Sequence, residues 1–312
     1  MDKLVLIDGN SLLNRAFYAT PVFSTSAGQP TNAIFGFIKL VFKIISDLKP
    51  KYMVVTFDLK APTFRHKMYE GYKANRSPMP PELASQVQPL KALLAAMNIT
   101  MCEQEGVEAD DLIGTLSKKF DVHSYIYTGD RDSFQLVDEK TDVYYTKRGV
   151  SDLLKLSCEN FENEIGLKPS AIVDLKALMG DKSDNIPGVA GIGETSAKKL
   201  LAQFESLDGV YENIDGISSA SLKNKLINGK ESAYFSYQLA TIKCDCDVNL
   251  TLEQCLVPEG YSLEVKEMFK TFEFKSLLAT MKFEDGSQVE ETEINYPQIN
   301  KIETAEEFES LC

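Results

Sequence analysis

Three observations predict an α/β fold in which helices flank a central, mostly parallel sheet that leads into a helical C-terminal subdomain. Four short apolar runs have strand length. Amphipathic patterns with a 3.6-residue rhythm lie between them. The strand signal fades from about residue 150, where Gly-, Pro- and Asn-broken helical segments take over.

In chain order, "KLVLI" (3–7) reads as a buried strand. "TNAIFGFIKLVFKIISDL" places Ile34, Phe37, Ile38, Val41, Ile44, Ile45 and Leu48 on one helix face behind a Thr31 cap. "YMVVTF" (52–57) is the second strand. A helix over "ELASQVQPLKALLAAM" follows, with Pro89 as its expected kink. "ITMC" (99–102) and "HSYIYT" (123–128) bracket the helical "EADDLIGTLSKKF". "FKTFEFKSLLATMKF" (269–283) is expected as one closing amphipathic helix. The polar, acidic stretch 284–298 reads as a linker, and "QINKIETAEEFESLC" as the start of a further, truncated domain. The expected division is 1–165, 166–283 and 284–312.

Composition narrows the function. A 312-residue chain with 44% hydrophobic residues can bury a sizeable core. The longest apolar stretch is interrupted by Lys39 and Lys43, which excludes a membrane span there. Six scattered cysteines without Cys-x-x-Cys spacing fit a reduced, cytoplasmic chain. Nothing calls for more than a monomer. The net charge of −13 argues against nucleic acid, but residues 284–312 alone carry −8 and the remainder −5.

The acids are concentrated. Asp8, Asp58, Asp130 and Asp132 each follow a predicted strand, at the sheet edge where ligands bind. Glu108, Asp110 and Asp111 open a helix, and Asp181 and Asp184 stand in "GDKSDNIPG". So many carboxylates on one edge repel unless cations bind among them. All-oxygen ligation with only two histidines in the chain points to Mg²⁺ or Mn²⁺ rather than zinc or iron. Two such ions suit in-line phosphodiester hydrolysis. The same aspartates, taken singly, are ordinary caps and turns.

Two segments point to nucleic acid. Residues 60–91 carry a net +4 with Phe64, Tyr69 and Tyr72 interleaved, a pattern suited to phosphates and bases of a single strand. "VAGIGETSAKKLL" fits a helix–hairpin–helix, with Gly191 and Gly193 in the hairpin and Lys198 and Lys199 behind it, able to hold a backbone phosphate.

"LIDGNSLLNRAFYA", "TFD", "FRHKMYEGYKANR", "VEADDLIGTL", "TGDRDSFQLV" and "GDKSDNIPGVAGIGETSAKKLL" together resemble the flap endonuclease (5′ nuclease) family over about residues 1–283. The likeness is greatest to the 5′→3′ exonuclease domains at the N-terminus of bacterial DNA polymerases. It implies a helical arch at about 60–82. It implies two Mg²⁺ ions, the first on Asp8, Asp58, Glu108 and Asp110, the second on Asp130, Asp132 and Asp184, with Asp111 and Asp181 farther out. It implies catalytic roles for Asp8, Asp58, Asp132, Lys73 and Arg76, base stacking at Tyr72, and substrate contacts at Arg15 and Arg65. It further implies a K⁺ on the carbonyls of Val189 and Ile192, a DNA substrate with a 5′ flap, end or nick, or an RNA primer on DNA, and a polymerase domain in the same full-length chain. A PIN-like metal-dependent ribonuclease and a non-catalytic DNA-structure-binding module are the alternatives.

Overall fold

The computed structural model describes residues 2–149 and 152–281. The chain divides into two units, Met1–Glu259 and Gly260–Cys312. The first half of the larger unit alternates strand and helix: β1 (Lys3–Asp8), α1 (Gly9–Ala19), α2 (Asn32–Leu48), β2 (Tyr52–Thr56), α3 (Phe64–Met68), α4 (Pro81–Ala96), β3 (Thr100–Cys102), α5 (Ala109–Lys119) and β4 (His123–Thr128). A 3₁₀ turn at Asp132–Leu136 leads to β5 (Thr141–Arg148) and β6 (Asp152–Leu156). Helices α6 (Phe161–Ile165), α7 (Ala171–Met179), α8 (Glu194–Phe204), α9 (Leu207–Glu212), α10 (Ala220–Asn228) and α11 (Lys230–Ala240) complete it. The smaller unit contributes α12 (Leu263–Thr271) and α13 (Lys275–Leu278).

The sheet runs β3-β2-β1-β4-β5-β6, parallel except for the antiparallel β5–β6 pair. The chain reverses its direction of travel between β1 and β4, so a crevice opens at their C-terminal ends. The central strands are apolar because helices cover both faces: Leu4 to Ile7 and Met53 to Val55 are almost wholly buried. In register, Asp8 pairs with Thr56 of β2 and Ile7 with Tyr127 of β4, so the sheet itself delivers Asp8 to the crevice.

Three details differ from the sequence expectation. Strands β5 and β6 were not anticipated, although "DVYYT" is rich in β-branched and aromatic residues. The side chain of Thr31 makes no cap on α2. Gln86 of α4 caps it from outside, its Oε1 accepting from the N–H groups of Ala33 (2.8 Å) and Ile34 (3.3 Å). Helix α4 contains Pro89 in its interior, as the sequence pattern expects. The single helix expected over 269–283 is broken between α12 and α13, where Glu273 adopts a left-handed φ of 61°. Residues 284–312, the expected linker and domain start, lie outside the described residues. Among the described residues no helix is long and apolar enough to cross a membrane.

A second core, built from α7 to α11, surrounds the glycine hairpin. Val189 and Ile192 are 2% and 4% exposed, so their side chains anchor the turn while Gly191 and Gly193 stay at the surface. The helix before this turn is not adjacent to it. Helix α7 ends at Met179, and the acidic loop carrying Asp181 and Asp184 intervenes.

Candidate active site

The parallel strands end in carboxylates. Asp8 is the last residue of β1 and also caps α1, its Oδ1 accepting from Ser11 N–H at 3.0 Å. Its Oδ2 accepts from the Thr128 hydroxyl at 2.8 Å, and that hydroxyl oxygen in turn takes the Asp130 N–H at 2.9 Å. The helix-cap and site readings of Asp8 therefore both hold. Asp58, exposed after β2, accepts from the Ala109 N–H at 2.8 Å and so ties β2 to the start of α5. The Asn10 side-chain oxygen accepts from Asp58 N–H at 2.9 Å. Asp8, Asp58, Glu108, Asp110 and Asp130 line one cleft of about 570 Å³, together with Arg15, Lys73 and Arg76.

Repulsion within this group shows in its protonation. Burial, with Asp58 nearby, pushes the Asp8 carboxyl up to about 7 despite its two hydrogen bonds. Burial, with Asp8, Asp130, Asp132 and Asp58 around it, raises Asp110 well above the carboxylate range. The Oδ1 of Asp110 is buried and has no hydrogen-bond partner. A buried carboxylate oxygen with no donor, facing other carboxylates, fits a hard divalent cation by donor type and by charge. Among the described residues no three acidic, histidine or cysteine side chains are gathered as tightly as a closed coordination shell.

Cations of the chain itself stand among the outer acids. Segment 60–82 does not form a helical arch: it is the five-residue α3 followed by turns at 70–75 and an extended stretch. It folds down onto the carboxylates. Lys73 Nζ lies 2.7 Å from Glu108 Oε1 and 3.8 Å from Asp184, and Arg76 pairs with Asp184. The Lys73 backbone is left-handed, φ 56°, and its N–H donates to Asp184 O at 2.9 Å.

Sequence reasoning missed Lys176. This lysine of α7 reaches between the clusters, pairing with Asp132 and, at 2.6 Å, with Asp181. Burial and Asp130 push Asp132 up to about 7 against the pull of Lys176. Burial would raise Asp181 as well, but Lys176 and two bonds from Ser183 hold it down at about 2. The available signal was a single cation inside the apolar run "AIVDLKALM", five residues before Asp181.

Three expected ligand or substrate contacts are corrected. Arg65 is 3% exposed and cannot reach a substrate. Its guanidinium forks onto Asp111 at 2.7 and 2.8 Å, and also donates to Glu108 and to the Leu239 and Thr241 carbonyls. Asp111 is not a free metal ligand. Wholly buried, it also accepts from the N–H groups of Glu108 (3.0 Å) and Lys243 (2.9 Å). Tyr72 is 3% exposed, too buried to stack on a base, and its hydroxyl donates to Glu108 (3.0 Å) and Asp184 (3.2 Å).

The hairpin residues also separate. Gly191 has φ 78°, and its carbonyl accepts from Lys225 Nζ at 3.0 Å. Gly193 has an ordinary φ of −104° and open space where a Cβ would stand, so the fold itself does not require glycine there. Val189 O accepts from Ile192 N–H at 3.0 Å. Lys198 pairs with Glu194, while Lys199 is exposed.

Comparison with known proteins agrees with this geometry. Residues 3–166 match the family model described as 5′-3′ exonuclease, N-terminal resolvase-like domain, and residues 167–262 the one described as 5′-3′ exonuclease, C-terminal SAM fold. DNA polymerase I of Bacillus subtilis is 42% identical over 93% of this chain, and that of Streptococcus pneumoniae R6 40% identical over 92%. The chain spans about a third of the length of these relatives. Among solved structures, a bacteriophage T5 flap endonuclease complex with DNA and metal ions superposes with a TM-score of 0.64 at 18% identity, covering 87% of this chain and 99% of that one. The catalytic core of Rad2 with a DNA substrate gives 0.55 at 17% identity, covering 87% and 88%. With its sheet, its acidic crevice and both family models in place from residue 3 to residue 262, the chain belongs to the 5′-3′ exonuclease family.

Proposed function

We propose that this chain is a structure-specific 5′ nuclease, a 5′→3′ exonuclease and flap endonuclease that hydrolyses DNA phosphodiesters. One observation carries the reading: Asp8, Asp58, Asp110 and Asp130 share a cleft with Lys73 and Arg76, and a buried oxygen of Asp110 has no donor. Asp8, Asp58, Glu108 and Asp110 would hold a first divalent ion, and Asp130, Asp132 and Asp184 a second, with Asp181 behind. Two Mg²⁺ ions, or Mn²⁺ in their place, would supply there the activation of a water and the neutralisation of the leaving oxygen. Asp8 is kept in place by Ser11 and Thr128, and Asp58 by its bond to the start of α5. Lys73 and Arg76, released from Glu108 and Asp184, become donors to the scissile phosphate. Arg15 lines the same cleft as a further phosphate contact.

The hairpin around Gly191 and Gly193, with Lys198 and Lys199, is the duplex anchor in this reading, and the carbonyls of Val189 and Ile192 are the candidate K⁺ donors. The substrate is DNA with a 5′ flap, end or nick, or an RNA primer on DNA. The setting is primer removal, Okazaki fragment processing and repair in the bacterial cytoplasm, with a polymerase domain in the same full-length chain. The test is cleavage of a 5′-labelled flap DNA, alongside an all-RNA strand, in Mg²⁺ and in EDTA. Mg²⁺-dependent release of the flap is expected. Flap binding without cleavage would reduce the chain to a binding module, and cleavage of the RNA strand alone would make it a ribonuclease.

A further inference from the structure

A second cleft has Lys176 in its wall, and the cleavage chemistry does not account for it. Its volume is about 450 Å³, within the size range of small-molecule sites. Its floor is apolar and aromatic: Phe134 and Tyr145 meet edge to face with centroids 5.2 Å apart, and Leu154, paired with Tyr145 across β5 and β6, extends the wall. Its rim is cationic, with Arg131, Lys147 and Lys198 around the opening. Lys198 is matched by Glu194, and Glu164 is the other acid of the wall. Arg131 and Lys147 are exposed and enter no ion pair among the described residues. The Arg131 guanidinium lies over the Tyr145 ring, 5.8 Å from its centroid. The wall nearest the acids is Lys176 itself, which pairs with Asp132 and Asp181.

An aromatic floor beside two exposed cations that form no close ion pair among the described residues, with Glu194 the acid nearest in effect to Arg131, matches a flat ring joined to a phosphate. We propose that this cleft binds a 5′-phosphorylated nucleotide, its base against Phe134 and Tyr145 and its phosphate between Arg131 and Lys147. The inference rests on the nuclease reading for its source, either a mononucleotide released by cleavage or the terminal nucleotide of a strand. Lys176 lines this cleft and pairs with Asp132 and Asp181, so its ammonium offsets the two acids that would otherwise repel the same phosphate. Binding here uses only the chain's own cations and needs no divalent ion.

The experiment is titration calorimetry of the whole chain in EDTA with thymidine, with thymidine 5′-monophosphate and with a 5′-phosphorylated thymidine tetramer. Two variants accompany the wild type: Lys147→Glu, at an exposed position that should not affect folding, and Leu154→Trp, which fills the cleft. Either phosphorylated probe should bind the wild type more tightly than thymidine, and the tighter of the two identifies the source. Lys147→Glu should weaken that binding about tenfold, and Leu154→Trp should abolish it. No binding of either phosphorylated probe in EDTA, or binding that both variants leave unchanged, overturns the proposal. Flap cleavage by the same wild-type preparation in Mg²⁺ is read separately. Cleavage without nucleotide binding discards only this cleft, whereas nucleotide binding without cleavage discards the nuclease reading.

Discussion

At the scale of single residues, burial decides which charged groups act and which hold the fold. Arg65 and Asp111 form a saturated pair in the interior, where each partner leaves the other an uncompensated charge if removed. Arg65→Leu should therefore cost about 3–5 kcal/mol in chemical denaturation. A substrate contact at Arg65 would instead leave stability unchanged and lower DNA affinity, so denaturant midpoint and flap affinity, measured together, separate the two roles. Asp8 is the opposite case. Asp8→Asn keeps a hydrogen-bonding side chain of the same shape but removes a charge from a group of carboxylates. The variant should fold normally by circular dichroism and lose most flap cleavage in Mg²⁺, with flap binding largely kept. Near-normal cleavage would remove Asp8 from the catalytic set.

At the scale of elements, the loop between α7 and α8 is held by its own backbone. Asp181 and Ile186 exchange two backbone hydrogen bonds, 2.8 and 2.9 Å, which close the loop around Asp184. Asn75 donates to Lys182 O and Asn185 to Gly71 O, both at 2.7 Å, which fasten the loop to the turn carrying Lys73. Gly188 has φ 62°, and a Cβ there would fall on the backbone of Gly180. Gly188→Ala should lower the melting temperature and cleavage together, because a left-handed backbone and a steric clash are imposed at once. Gly193→Val should behave differently. Its backbone is ordinary and the space beside it is open, so the fold should tolerate valine. If the hairpin holds a phosphate, duplex affinity should fall similarly for unrelated sequences, and the log–log salt slope should flatten by roughly one unit. Unchanged affinity would leave the hairpin as a turn between packed helices.

At the scale of the whole molecule, the acids of the site stay crowded even though Lys73, Arg76 and Lys176 pair with several of them. Asp8 and Asp132 both stand at about 7 in the fold against an ordinary 3.8. A carboxyl raised on folding contributes stability that is fully present below its unfolded value and is lost as pH rises through its folded value. Metal-free stability should accordingly decline between about pH 4 and 7. Divalent ions bind the deprotonated carboxylates, so Mg²⁺ should raise the melting temperature more at pH 8 than at pH 6. Calorimetric titration at pH 6 should show proton release, seen as a heat that depends on the buffer's ionisation enthalpy. Equal Mg²⁺ stabilisation at both values would mean that these two carboxyls do not meet the ion.

The sequence by itself determined the parallel core strands, the acids at their ends and the glycine hairpin. Each of these is a local pattern: an apolar run, an aspartate directly after it, a turn between glycines. It did not determine that Thr31 leaves the capping of α2 to Gln86, because that bond joins residues more than fifty positions apart. Nor did it separate Arg65, Tyr72 and Asp111 from the working groups beside them. Spacing along a helix or turn tells which residues are neighbours, but not which side of them another element will cover. Only the tertiary structure brings α11 and the strand-like stretch after it against Arg65, closes Tyr72 over Glu108 and Asp184, and carries Lys176 from a distant helix to Asp132. The cost of desolvating a charge depends on everything packed around it, so the same acidic and basic letters became fold in one place and candidate chemistry in the next.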